Sequence, residues 1–283
     1  CARDCLVLTF FLHASHADAR IRVARAVERV LEFVGPSSFP FYLDEEGDRT
    51  PFDGQRWPAL RAERFASDRE EGGLRLVSED DVGGCYLKYW GWALPQPQLP
   101  KWRNQFHLRI SRELVLHRDG RWSEFVAFAR ELARLLPYSS GYLSPALALL
   151  QRTPVCWGVG RRYPGLDLLD PNTTCIEIGE RIPGVYWTMF VGAAARVTPC
   201  IRALAAAPFQ GLTMSPEGEG VMLQIGDAPD IGDTNRGRGL PVFRSVASVL
   251  WPEIYVPDRP HLFDEEDEPD LDATLRWQRR FVE

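Results

Sequence analysis

LRLVSEDDVGGCYLKYWGWA, residues 74–93, sets two extended runs on either side of a short polar link. The runs 74–78 and 85–93 are rich in leucine, valine, tyrosine and tryptophan, which suit a pleated, half-buried surface. The link EDDVGG is too short for a crossover helix, so the two runs pair antiparallel. QFHLRIS, residues 105–111, adds a third strand in strict alternation, with Phe106, Leu108 and Ile110 on one face and His107 and Arg109 on the other.

The same grammar extends outward. Residues 5–12, CLVLTFFL, read as a buried strand that runs into a helix capped by Ser15 and stopped at Gly35. Ile21, Ala24, Val27, Leu31 and Val34 form its apolar stripe. A strand at 39–43, an acidic turn at 44–48 and a short helix from Pro58 follow. RWSEFVAFARELARLLP buries Phe125, Phe128, Leu132 and Leu135 and ends at Pro137, and SGYLSPALALL is a further strand. A second block reads CIEIGE, VYWTMFV, a helix from Pro199 capped by Thr198, GLTMS, GVMLQIG and a last helix from Pro241 that buries Phe243, Val246, Val249 and Leu250. The expected fold is α+β, with mainly antiparallel or mixed sheets carrying amphipathic helices. The expected organisation is a single compact domain, 1–283, divisible into halves 1–150 and 172–256 that share a sheet or pack face to face, with an acidic C-terminal segment, 257–283.

Apolar residues make up 45% of the 283, enough for a sizeable core. The net charge of −6 argues against a general nucleic-acid binder or an anionic membrane surface, and favours a basic partner. Cys1, Cys5, Cys85, Cys156, Cys175 and Cys200 contain no CxxC pair and read as free thiols of a reducing cytosol. The apolar N-terminal run is too short to span a bilayer and lacks signal-peptide features, so the expected location is cytoplasmic.

Catalytic signatures are weak. His13 and His16 are spaced i,i+3 without a third ligand and read as a solvated loop. CWGVGRRYPG lacks the strand–turn–helix context of a phosphate loop. Asp170 and Glu177, the latter placed in a strand, follow the carboxylate layout of metal-dependent nucleases, but Gly179 stands where a lysine is needed. Tyr86, Tyr89, Trp90 and Trp92 are read as sheet packing ahead of a stacking site. DAPDIGD is too short for a calcium loop. No catalytic residue, metal or cofactor is assigned.

Five segments carry a resemblance: CLVLTFFLHASH (5–16), LARLLPYSSGYLS (132–144), RRYPGLDLLD (161–170), GVYWTMFVG (184–192) and IGDTNRGRGLPVFRSVASVLWPEIY (231–255). Over most of residues 5–256 the chain resembles the type VI secretion immunity family, the TsiV/TsiT-like proteins. The resemblance implies a non-enzymatic cytoplasmic protein that neutralises a cognate toxin delivered by the type VI secretion system. The implied toxin is a nuclease of the restriction-endonuclease-like class, VRR-NUC or Tox-REase-5. The stretch after Tyr255 lies outside the resemblance.

An acidic inhibitor suits such a toxin, because DNA binding requires a basic surface. Two acidic stretches are candidate contacts. Residues 264–272 hold seven carboxylates, and Asp264, Glu265, Glu266, Asp267 and Glu268 are either a solvated loop or a docking surface. Asp227, Asp230 and Asp233 lie in GDAPDIGDTNRG, residues 226–237. Two other readings stand beside immunity: a metal-dependent hydrolase or nuclease using Asp170 and Glu177, and a non-catalytic scaffold that self-associates through its aromatic strands.

Overall fold

The structure is a computed structural model that describes residues 2–80, 83–118, 121–149, 154–168, 170–206, 209–260 and 270–283. Its elements run β1 (Ala2–Leu12), α1 (His16–Val34), β2 (Phe41–Leu43), β3 (Arg49–Pro51), α2 (Trp57–Arg64), β4 (Gly72–Val77), β5 (Tyr86–Gly91), β6 (Asn104–Ser111), α3 (Arg112–His117), α4 (Trp122–Leu135) and β7 (Tyr138–Leu149). There follow α5 (Pro154–Arg162), α6 (Pro171–Glu177), β8 (Thr188–Val191), α7 (Ala193–Arg196), α8 (Pro199–Ala206), β9 (Leu212–Glu217), β10 (Gly220–Ile225), α9 (Pro241–Leu250) and α10 (Leu271–Gln278).

All ten strands join one sheet in the order β3-β2-β4-β5-β6-β1-β7-β8-β10-β9, and each neighbouring pair is antiparallel. The fold is α+β, and the two sequence blocks lie side by side in that sheet. The opening hairpin pairs Leu74 with Tyr89 and Leu76 with Leu87. β1 lies between β6 and β7, which explains its near-continuous apolar sequence. Leu6, Leu8, Phe10 and Leu12 enter one core with α1, α2 and α4, while Cys5, Val7 and Phe11 enter a second core with α8 and α9 on the opposite face. Each fully buried leucine or phenylalanine contributes about 1.5–3 kcal/mol relative to exposure. β7 carries Pro145 opposite Leu6, inside the sheet. The missing N–H is tolerated there because β8 pairs with β7 only over residues 140–143, and the Pro145 carbonyl instead accepts the Asp167 amide at 2.8 Å.

Several expectations are corrected. CIEIGE is not a strand: Asp170 caps α6 with Pro171 in its first turn, and Glu177 ends that helix. A strong cap followed by proline outweighs the β-branched alternation of the segment. CWGVGRRYPG lies largely in α5. The helix at Pro241 is not the last, because α10 follows and buries Ala273 and Trp277. Ile21 is exposed, and the α1 stripe instead includes Ala19, Val23, Ala26 and Val30.

His16 is likewise no loop residue. Ser15 caps α1 by accepting the Asp18 amide, which makes His16 the first helical residue and points its ring inward with no solvent exposure. The ring packs against the stacked pair of Phe65 and Tyr89, and its Nδ1 contacts the Tyr89 hydroxyl at 2.9 Å. Gly72 makes room for it: a Cβ there would stand 2.3 Å from the imidazole. Burial, followed by the fields of Arg20 and Arg69, lowers the His16 pKa to about 4. Burial, then Arg109 and Lys88, lowers that of His107 to about 3. Both groups bind protons more weakly folded than unfolded. Their contribution to stability is complete above pH ~6.5 and is lost as pH falls from there toward 4 and 3. Urea midpoints measured from pH 7.5 down to 4 are therefore expected to fall, with His16→Gln removing part of the slope. A flat profile would contradict this account.

Candidate functional site

On the face opposite the first core, α6 packs against β6 and reaches β5, where Asn172 accepts from Lys88. Tyr86, Lys88 and Trp90 of β5 are half-buried on this face, which α6 partly covers, while Tyr89 points into the first core. Beyond β5 the chain turns at residues 92–103 and returns as β6. Buried Asn104 locks this turn. Its carboxamide oxygen accepts the Trp92 amide at 2.8 Å, and its nitrogen donates to the Ala14 and Trp92 carbonyls at 2.9 and 3.1 Å. The Arg103 amide donates to Cys175 at 2.8 Å, and the Lys101 carbonyl accepts the Gly179 amide at 2.9 Å, which ties the turn to α6.

This locking gathers three indoles. Trp90 and Trp92 have centroids 5.8 Å apart, and Trp102 meets them at 5.7 and 6.0 Å in edge-on packing. Lys88 Nζ stands 4.5 Å over Trp90 and donates to Asn172. Each aromatic contact contributes about 0.5–1.5 kcal/mol beyond area burial. The result is a fixed aromatic platform with its outer surface accessible.

Two clefts flank it. The first, ≈ 620 Å³, opens where β2 stops short: β2 pairs with β4 only at Leu76 and Val77, so the cleft borders residues 72–75. Trp90, Trp92, Asp44, Glu45 and Glu71 line it together with Arg64, Arg69, Arg75 and Lys88. Glu45 lies between Arg64 and Arg69, at 3.2 and 3.5 Å. Asp44 closes the acidic turn by accepting the Asp48 amide at 2.8 Å, with Gly47 at φ +92°. Glu45, Glu46, Asp48, Asp68, Glu70 and Glu71 are exposed on the two segments that wall this cleft. The second cleft, ≈ 680 Å³, is lined by Trp102, His13, Asp18, Glu180, Glu219 and Arg103, with Arg103 paired to Glu180. The indoles thus stand between a wall of mixed charge and one on which three carboxylates face a single arginine.

Of the sequence-derived candidates, Asp227, Asp230 and Asp233 line neither cleft. Asp264, Glu265, Glu266, Asp267 and Glu268 lie outside the described residues. Of the same run, Asp270 caps α10 by accepting the Ala273 amide at 2.7 Å, and Asp272 occupies its first turn. Asp227 is exposed beside Arg130, Arg134 and Gln224. Asp230 accepts the Gly232 amide at 2.9 Å and pairs with Arg238 at 3.2 Å. Asp233 is an internal anchor, 4% exposed, holding Arg162 through two bonds of 3.1 Å. That guanidinium keeps the Asp233 carboxyl below the usual carboxylate range. The structure therefore leaves Asp227 and Asp230 on the surface and takes Asp233 off it.

Asp170 and Glu177 do not converge. They stand at opposite ends of α6, about 10 Å apart along its axis. Asp170 accepts the Thr173 hydroxyl at 2.9 Å, and Glu177 meets Tyr255 at 3.0 Å and Arg259 at 2.8 Å. Among the described residues no group of three or more His, Cys, Asp or Glu side chains is arranged to hold a metal ion, and no helix is long and apolar enough to cross a membrane. Trp102, Asp18, Glu180 and Glu219 escaped the sequence reading. The one available signal was the β5–β6 pairing, which sets Trp90 opposite Gln105 and so brings the residues just before β6 beside Trp92.

The prominent features of this α+β fold are thus three packed indoles with charged side chains on either side of them. The family model TsiV, described as type VI immunity for VRR-NUC, matches residues 22–281, and the chain belongs to that family. In fold the chain is similar to the Pseudomonas aeruginosa T6SS protein PA0821, with a TM-score of 0.83 and 18% identity over 100% of this chain and 83% of that one. No curated protein matches the chain. The family match starts inside α1 and extends past Tyr255 through α10, where the sequence resemblance had stopped.

Proposed function

We propose that this protein acts in the cytoplasm of the producing cell by binding a VRR-NUC effector of the type VI secretion system and occluding its DNA-binding surface. The family match carries the reading. Of the two nuclease classes that the sequence resemblance allowed, it names the first. The platform of Trp90, Trp92 and Trp102 supports the mode of binding, because buried aromatic anchors dominate most interfaces. The carboxylates on the walls suit the basic surface with which a nuclease holds phosphates.

Co-expression with the cognate effector is expected to restore growth, and the two purified proteins are expected to co-elute as one complex. Unchanged toxicity with no complex overturns the reading. Steering by the walls makes a further prediction. Changing Glu45, Glu46 and Glu71 together to glutamine is expected to slow association by about tenfold at low salt and to flatten its salt dependence, while dissociation stays near wild type. Stopped-flow mixing at several ionic strengths reads both quantities. A wild-type salt slope would place the steering charges elsewhere, with Asp227 and Asp230 or Asp264 to Glu268 as the sets to change next.

A further inference from the structure

A different cavity has charged lining of one sign only, all of it cationic. It measures ≈ 490 Å³, within the usual range for a small-molecule site, and lies between the end of α5, the loop before α9, and α10. Four arginines line it, Arg161, Arg244, Arg276 and Arg280, and no aspartate or glutamate is among its described lining residues. In a chain of net charge −6 this is a local reversal of sign. Arg161, Arg244 and Arg276 are exposed and form the rim. Arg276 stands 3.9 Å from Asp270, a weak contact.

Arg280 belongs to the interior of the cavity. Its Nε donates to the Pro164 carbonyl at 2.7 Å and its Nη1 to the Trp277 carbonyl at 3.0 Å. The guanidinium lies 4.0 Å over the Trp277 ring and 4.5 Å over Phe281, which fixes its plane. Its Nη2 is buried and has no hydrogen-bond partner among the described residues. The same holds for Nε1 of Trp277, a residue only 3% exposed. Both atoms are closed off beneath the cavity, and Arg280 lies in the field of Asp167 and Tyr186, so the exposed Arg161, Arg244 and Arg276 are the groups that can meet a ligand.

We propose that this cavity binds a phosphate monoester carrying a partly apolar organic group, of the size of a nucleoside monophosphate. A single carboxylate is satisfied by one arginine fork, whereas several guanidiniums around one site match a dianion with three terminal oxygens. Leu240, Pro164 and Phe281 supply apolar wall that a bare ion would leave unused. The site is remote from the tryptophan platform in sequence and shares no lining residue with either flanking cleft, so its test does not depend on the effector.

Isothermal titration at constant ionic strength tests the proposal on the whole chain. Adenosine 5′-monophosphate is expected to bind one-to-one and saturably, inorganic phosphate at least about tenfold more weakly, and adenosine without measurable heat. The rim variant Arg161→Gln with Arg244→Gln changes only exposed side chains, so its thermal unfolding should match wild type while its affinity for the monophosphate drops by about tenfold or more. Arg25→Gln, exposed on α1, controls for loss of positive charge and should bind as wild type. Absence of saturable binding, inorganic phosphate binding as tightly as the monophosphate, or equal loss in the Arg25 control each overturns the proposal.

Discussion

Replacing Asp167 with alanine is expected to lower unfolding free energy by about 3–5 kcal/mol, the cost of removing one member of a buried charged network. Asp167 is 5% exposed and lies where the chain leaves the α5 turn and bonds back to β7. Tyr142 donates to its Oδ2 at 2.8 Å and Tyr186 to its Oδ1 at 3.2 Å. The two phenol rings stack with centroids 4.1 Å apart, so neither hydroxyl can swing to a new acceptor without disturbing the other. Burial, reinforced by the Asp167 charge, pushes both phenols well above their ordinary pKa, which keeps them as donors. Arg280 sits in the same field: burial lowers its pKa to about 10, against the opposing pull of Tyr186 and Asp167. Alanine would remove the acceptor of both phenol protons, leaving Tyr142 only its contact with Thr9, and would take away the negative charge beside that guanidinium. Tyr142→Phe removes one hydroxyl together with its bond and should cost only about 1 kcal/mol. Urea unfolding at pH 7.5 distinguishes the cases, and an Asp167→Ala loss no larger than that of Tyr142→Phe would show that the network is not coupled.

How far the sequence could be read depended on whether a feature was local. The hairpin of β4 and β5, the double-sided burial of β1, and the Ser15 and Gly35 boundaries of α1 all follow from neighbours within a few residues, and the structure has them. His16 shows the limit. Its burial depends on Gly72 and Phe65, which reach it only through the tertiary fold. α6 was hidden because CIEIGE alternates like a strand, while the deciding signal, Asp170 before Pro171, lay upstream of the alternation. The acidic run was read as one object, yet Asp270 and Asp272 serve the start of α10. Asp233 looked like surface charge because Arg162, its partner, is 71 residues away in sequence. Trp102 had no local mark at all: it joins Trp90 and Trp92 only because Asn104 fastens β6 to the end of β5.

That dependence makes the tryptophan platform the place where a small change should have the largest effect on binding. Trp90→Ala with Trp102→Ala is expected to weaken the effector complex by at least about a hundredfold, the range of two central aromatic anchors. The loss should appear in dissociation, because anchors act after encounter, whereas the carboxylates on the walls act before it. The fold should survive. Both indoles are half-buried outside the first core, to which β4 and β5 contribute Leu74, Leu76, Leu87 and Tyr89. Trp92 is the harder test, since its backbone is bonded to both Asn104 and His16, so the double variant leaves it in place. Far-ultraviolet circular dichroism and the urea midpoint verify that the variant is folded, and surface plasmon resonance then separates the two rate constants. Asp227→Asn with Asp230→Asn is the matched comparison on the loop before α9. If the tryptophan variant dissociates at the wild-type rate and the aspartate variant does not, the platform is sheet packing and the effector docks on that loop.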